Sequence, residues 1–299
     1  VTTRTRPEGA DSFTYDPNGN LIRAVTPDVT ESFQYDPLSR LTRREHETFG
    51  KVVQYEYDSV GNRTRLIDPR GGAVRYGYDS LSQIATLTNF YDQRWSWTYD
   101  ANGRRVRQGN PNGSEAVYRY DPAGHLSALT NRKVDGPNIT FHNYAVDAVG
   151  TRTALKSHEG LATYQYDAID RLTRADHPDG QFEAFTYDPV DNRLTMNRNA
   201  AVTTYAYDDD DRLNSASSLA GASTFIYDSA GRLLRQTDGA ATTAYAYDSF
   251  SRMTGATNKT GVVVDDVTRY TYDAFGNRTL VDRGGGDATR YVYDGLHIF

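Results

Sequence analysis

The stretch "FIYDSAGRLLRQTD", Phe225–Asp238, decides the fold. Two aromatic residues, Phe225 and Tyr227, stand two apart, and Asp228 follows at once. A spacing of two puts both rings on one face of a β-strand, whereas a helix would set them about 200° apart. Gly231 comes three residues after the Asp, then Arg232 and Leu233. Asp first and Gly fourth is the preference of a type I turn. The Asp side chain accepts backbone N–H groups inside the turn, and the Gly takes the left-handed conformation that returns the chain. The stretch reads as one β-hairpin.

The same pattern runs through the whole chain. Tyr-Asp begins at Tyr15, Tyr35, Tyr57, Tyr78, Tyr99, Tyr120, Tyr166, Tyr187, Tyr207, Tyr227, Tyr247, Tyr272 and Tyr293, and a degenerate copy, Val146-Asp147, fills the one gap. That makes fourteen copies at steps of 20 to 26 residues, and all fourteen carry an aromatic two residues before the Tyr position. The signature is complete in Tyr15-Asp16 with Gly19, Tyr57-Asp58 with Gly61, Tyr120-Asp121 with Gly124, Tyr227-Asp228 with Gly231, and Tyr272-Asp273 with Gly276. Asp170, Asp191 and Asp211 occupy the Gly slot elsewhere, and Asp tolerates the left-handed region better than most residues. An apolar residue such as Leu21, Leu172 or Met253 opens the return strand. Periods of this length mark repeat architectures. Residues 1–299 read as one all-β domain of about fourteen hairpins and 28 strands. A sheet that long must twist, coil or close. The two longest steps place longer inter-hairpin loops near 131–138 and 259–267.

Composition shifts the apolar area from aliphatic residues to Tyr. Leu, Ile, Val and Phe supply only 19% of the residues, while 23 Tyr supply apolar area with a polar tip that needs a partner. The net charge of −6 is too small for a disordered chain and of the wrong sign for a nucleic-acid surface. There is no Cys, which excludes disulfides, thiolate metal sites and a cysteine nucleophile. No apolar run is long enough to span a membrane, and no signal peptide is visible. The chain opens without Met and ends inside a copy, so it reads as an excerpt, truncated at both ends, of a longer protein. Unpaired strands at both ends predict self-association.

Chemical candidates are few. "RYDPAGHL", Arg119–Leu126, sets an acid, a Gly and a His together, but His125 holds a repeat position that other copies fill with Asn, Arg, Gln or Thr. It reads as the variable first residue of a return strand. The other His fall at unrelated points (His46, His142, His158, His177 and His297), and no metal-binding pair is formed. In the acid run Asp208–Asp211, the first and last residues are turn residues, and the run lacks the alternation of a calcium loop. "GGGD", Gly284–Asp287, reads as a flexible connection. No catalytic residue, cofactor site or metal ligand is assigned.

The motif aromatic-x-Tyr-Asp-x-x-Gly-Arg/Asn-Leu, as in Phe225–Asp238 and in "FTYDPNGNLIRAVTPD", Phe13–Asp28, resembles the Rhs/YD-repeat family over nearly the whole chain. That family includes bacterial Rhs polymorphic toxins, the B/C components of insecticidal toxin complexes, and teneurins. The resemblance implies hairpins coiled into a spiral sheet that forms a hollow shell around a C-terminal toxin domain. It implies a non-catalytic segment of a secreted or cell-surface bacterial protein. Its partners would be the rest of its own chain (further repeats, a core plug and the toxin), together with secretion-system or receptor proteins. The autoprotease of the bacterial members has no counterpart among these residues. Two other readings compete: a surface adhesin for glycans or proteins, and a propeller of seven four-stranded blades. The motif does not alternate between odd and even copies, as inner and outer hairpins of a blade should.

Overall fold

The computed structural model describes residues 1–7, 9–294, 297 and 298. Twenty-eight strands belong to one antiparallel sheet, and a separate pair joins Tyr293–Asp294 to His297–Ile298. The described residues include no α-helix, only a 3-10 turn at Glu47–Phe49. Thirteen Tyr-Asp hairpins lie in the large sheet, between an outer strand Thr2–Arg6 and a short strand Ala288–Arg290. The fourteenth Tyr-Asp leaves the sheet to form the separate pair. The side chains of Asp294 and His297 lie outside the described residues.

Within each unit the strands pair with their neighbours in sequence, as Thr2–Arg6 does with Gly9–Tyr15 and Leu172–Asp176 with Phe182–Tyr187. From Ile84–Thr88 to Gly221–Tyr227 the ladder runs through fourteen strands without a break. Four-stranded blades would interrupt it, so the propeller is excluded. The register shifts once in each hairpin, just before the Tyr of the motif, as between Thr14 and Tyr15 or Ala206 and Tyr207. One residue of the return strand is thereby left outside the ladder, as in a β-bulge.

The two long steps are strand, not loop. Leu126–Lys133 and Asn138–Val146 close on a tight turn in which Gly136 N–H donates to Lys133 O. Met253–Thr260 and Val263–Tyr272 likewise meet around Gly261. The added residues, Thr130 to Asn131 and Thr257 to Thr260 among them, alternate in pairing with both neighbouring strands and so extend the ladder. Length alone does not separate a longer loop from a longer hairpin.

The chain divides into two compact units: Val1–Tyr76 with Phe225–Phe299, and Gly77–Thr224. In the first unit two apolar clusters form. One joins Val53, Tyr55, Leu66 and Val292; the other joins Ala24, Phe33 and Ala274. In the second unit only Ala116, Ala162 and Ala175 are buried apolar residues. Its aromatic row, including Tyr144, Phe185 and Tyr205, is half-buried. That unit rests on its ladder and on the polar turn contacts described next.

Candidate functional site: a stapled turn edge

The thirteen hairpin turns repeat one geometry. In the turn of Asp228, Gly231 N–H donates to Asp228 O at 3.0 Å and Asp228 N–H donates to Arg232 O at 3.0 Å. Asp228 Oδ1 accepts the N–H groups of Ala230 and Arg232, both at 2.9 Å. Its Oδ2 accepts Arg232 Nε at 2.6 Å. Asp16, Asp58, Asp121 and Asp273 accept the backbone N–H four residues on in the same way. The fourth turn residue has positive φ in every one of these turns, whether Gly19, Gly61, Gly124, Gly231 and Gly276, or Asp170, Asp191 and Asp211. Ser39, Ser82 and Ser251 also adopt it, which the residue type did not announce.

In eleven of the described turns the fifth residue is a side-chain donor to the Asp. Asn20, Asn62, Asn192 and Asn277 give an amide N–H, and Arg40, Arg104, Arg171, Arg212, Arg232 and Arg252 give Nε. His125 does the same, with Nδ1 3.1 Å from Asp121 Oδ2. The position varies, and Asn, Arg and His all close the carboxylate from it. These contacts hold carboxylates such as Asp16, Asp36, Asp100, Asp121 and Asp228 below the ordinary range. For Asp228 the backbone bond from Arg232 contributes most and outweighs the opposing desolvation.

Two further contacts join successive hairpins within each unit. The Tyr of the motif donates its hydroxyl to the first carbonyl of the preceding return strand. Tyr35 reaches Leu21 O at 3.0 Å, Tyr57 reaches Leu41 O at 2.8 Å, Tyr120 reaches Arg105 O at 2.9 Å, and Tyr272 reaches Met253 O at 2.6 Å. Those carbonyls sit at the bulge, so the hydroxyl fills a place that the ladder leaves open. The turn Arg provides the second contact. Arg40, Arg171, Arg232 and Arg252 donate Nη1 to the carbonyl of the next turn Asp. Their guanidinium groups also lie over the next Tyr ring, at 5.0 Å for Arg40 and Tyr57 and 4.8 Å for Arg171 and Tyr187.

In the first unit the late turns seat on the early hairpins. Arg44 Nη2 pairs with Glu31 Oε1 at 2.6 Å and with Asp273 Oδ2 at 3.2 Å, and its Nη1 donates to Tyr293 O at 3.1 Å. Arg4 Nη2 donates to Ala274 O at 3.3 Å, and the Phe33 and Phe275 rings meet edge to face at 5.8 Å. Burial raises the Glu31 pKa to about 6 against the attraction of Arg44. Burial also lowers that of His46 to about 4, with Arg44 adding to the effect. His46 stacks on Phe49 at 4.0 Å.

The chemical candidates resolve into structure. Asp208 and Asp211 are turn residues, Asp210 pairs with Arg212 at 2.9 Å, and Asp211 Oδ1 accepts Asn192 Nδ2 at 2.8 Å. Gly284–Asp287 is a tight turn, with Asp287 N–H donating to Gly284 O. Among the described residues no three His, Cys, Asp or Glu side chains are grouped to hold a metal ion. None of their helices is long and apolar enough to cross a membrane.

The Teneurin YD-shell family matches residues 143–297, half of the chain. The chain belongs to that family. The RHS Repeat family matches residues 35–73, 57–94 and 99–133. Among solved structures, the TcdB2-TccC3-TEV crystal structure is similar with a TM-score of 0.66 at 16% identity, over 96% of this chain and 19% of that one. The Photorhabdus luminescens Tc holotoxin pore is similar with a TM-score of 0.55 at 12% identity, over 95% of this chain and 21% of that one. This YD-shell chain thus spans about a fifth of the length of the structures it resembles. None of the curated proteins compared matches it.

Sequence reasoning missed the donor role of the fifth turn residue and the staple made by the Tyr hydroxyl. Both had a signal. Asn and Arg dominate the fifth position, and the motif Tyr is never replaced by Phe, although Phe stands two residues earlier in four copies. Arg44 carried a third signal, since the partner of the motif aromatic is Ala24, Leu66, Leu155 or Ala216 elsewhere.

Proposed function

We propose that this chain is a non-catalytic wall segment of a shell that encloses a C-terminal toxin or effector domain of its own longer protein. One observation carries the reading. The turn carboxylates accept the backbone of their own turns in the same way from copy to copy, and Asp273, which takes a further ion pair, meets Arg44 in a contact between hairpins. A catalytic site would break the repeat with unusual polar residues. The ladder, unbroken through fourteen strands, suits a wall, because it pairs the backbone strand by strand without a thick core.

On this reading the partners are further repeats, a plug and the enclosed domain, with secretion-system or receptor proteins outside. The assembled protein acts outside the cell or at its surface. The test is limited proteolysis of the complete protein that contains this chain. Encapsulation predicts that the region after the repeats resists protease until the wall is denatured. Cleavage of that region at the rate of an exposed domain refutes it.

The adhesin reading has one observation in its favour. Trp95, Asn110, Asn112 and Gln93 line an open depression of about 800 Å³ in the second unit, an aromatic beside planar polar groups. A glycan array probed with this chain tests it, and the wall reading predicts no binder.

A further inference from the structure

The turn tips form an interaction surface that the chain uses at one end and leaves open at the other. The third turn residue is apolar in many hairpins. In the first unit, Phe250 and Phe275 hold this position one hairpin apart. Phe250 lies under the Arg4 guanidinium at 4.4 Å, and Phe275 meets Phe33, with Arg44 5.6 Å from its ring. Phe250 of hairpin twelve thus meets the outer strand, hairpin thirteen packs through Ala274 on Ala24 and Phe33 of the first and second hairpins, and Val292 of the fourteenth reaches Val53, Tyr55 and Leu66 of the third. Where a turn has seated, the receiving Phe33 is only 7% exposed and the seated tips Phe250 and Phe275 keep 40% and 49%.

The same knobs occur without a seat. Leu38 is 70% exposed and Val60 77%, at the position of Phe250 and Phe275 in hairpins two and three. The same face recurs without a knob. Phe185 and Tyr205 in the second unit, the counterparts of Phe33, remain half-buried. A row of apolar tips on one rim is a recognition surface by its chemistry.

We propose that Leu38 and Val60 are docking knobs that seat on the aromatic face of a second run of YD hairpins, supplied in solution by a second copy of this chain. The partner follows from continuity with the contact already formed. Knob and face are complementary within one chain, and each copy carries a free set of both. The contact is heterologous, knob on one copy and face on the next, so it does not close on itself. It requires no enclosed cargo and stands apart from the wall reading.

Sedimentation velocity on the purified chain, from about 1 to about 100 μM, tests the proposal. The wild type associates as concentration rises. The double variant Leu38→Asp, Val60→Asp moves the midpoint up by about tenfold or more. Val60→Phe, which installs the residue found at the seated tips, moves it down. Circular dichroism confirms that each variant keeps the wild-type strand content. A chain that stays monomeric throughout overturns the proposal. So do tip variants that associate like the wild type, which would place the contact on the open strand edges.

Discussion

The Tyr hydroxyl staple can be tested with one chemical change made at two sites. Tyr270 and Tyr272 lie on one face of the strand Val263–Tyr272. Tyr272 donates to Met253 O at 2.6 Å, and its burial pushes its pKa up. The Tyr270 hydroxyl has no partner among the described hydrogen bonds. Removing the Tyr272 hydroxyl leaves the ring packing in place and deletes one neutral hydrogen bond, worth about 1 kcal/mol net. Water reaches the freed carbonyl in part, which keeps the loss near that figure and not at the full cost of a buried orphan. Tyr270→Phe should change stability by less than about 0.5 kcal/mol. A repeat array need not unfold in one step, so a global melting curve dilutes a local effect. Native-state hydrogen exchange resolves it: amides of Met253–Thr260 should exchange about fivefold faster in Tyr272→Phe, and unchanged in Tyr270→Phe. Equal effects of the two variants would show that the conserved hydroxyl position is a matter of ring packing alone, and the staple would be refuted.

Three further outcomes are expected. Val146→Tyr restores the hydroxyl that the degenerate copy lacks, and should slow exchange at Leu126–Lys133 by the equivalent of about 1 kcal/mol. Ala200 sits at φ 70° beside Asn199 at φ 49° in a two-residue turn, a conformation that costs an L-residue about 1–2 kcal/mol. Ala200→Gly relieves that cost but loosens the unfolded chain, so a net gain of about 0.5 kcal/mol should appear in denaturant titration of the chain. The third concerns pH. His46 has a folded pKa of about 4 against 6.5 unfolded, so acidification from 6.5 to 4 destabilises the first unit. Glu31 has a folded pKa of about 6 against 4.5, so its ionised-state penalty is relieved as pH falls from 6 to 4.5. The His shift is the larger, and stability of this unit should fall by roughly 1 kcal/mol across the window. The turn carboxylates, held low, act only below it. His46→Phe should turn the loss into a gain, read by exchange at the Leu41–His46 strand.

The hairpin and its turn were legible because they are local. Two rings at a spacing of two, then Asp and a left-handed residue, fix a strand and its reversal without any tertiary partner. What lay beyond was contact between copies. The Tyr57 hydroxyl reaches Leu41 O across 16 positions, and Arg44 reaches Asp273 across 229, distances at which a single sequence carries no pairing signal. The long steps failed for a different reason. Asn131 and Thr260 are polar enough for a loop, yet in a sheet of alternating faces a polar residue is equally at home on a strand.

The same division accounts for how this fold survives at 16% identity over 96% of the chain. A globular core couples its residues through packing, so distant relatives must change in concert. Here little is buried, and cohesion comes from a short polar circuit repeated at every turn. The Asp closes its own loop, the fifth residue donates to the Asp, and that residue or the next Tyr ties the following hairpin down. Each circuit touches only its neighbours, and stability accumulates as a sum of near-identical local terms. Positions outside the circuit are then free to vary so long as they alternate between faces. A copy that loses one element, as Val146 does, weakens one joint and leaves the adjoining ones intact.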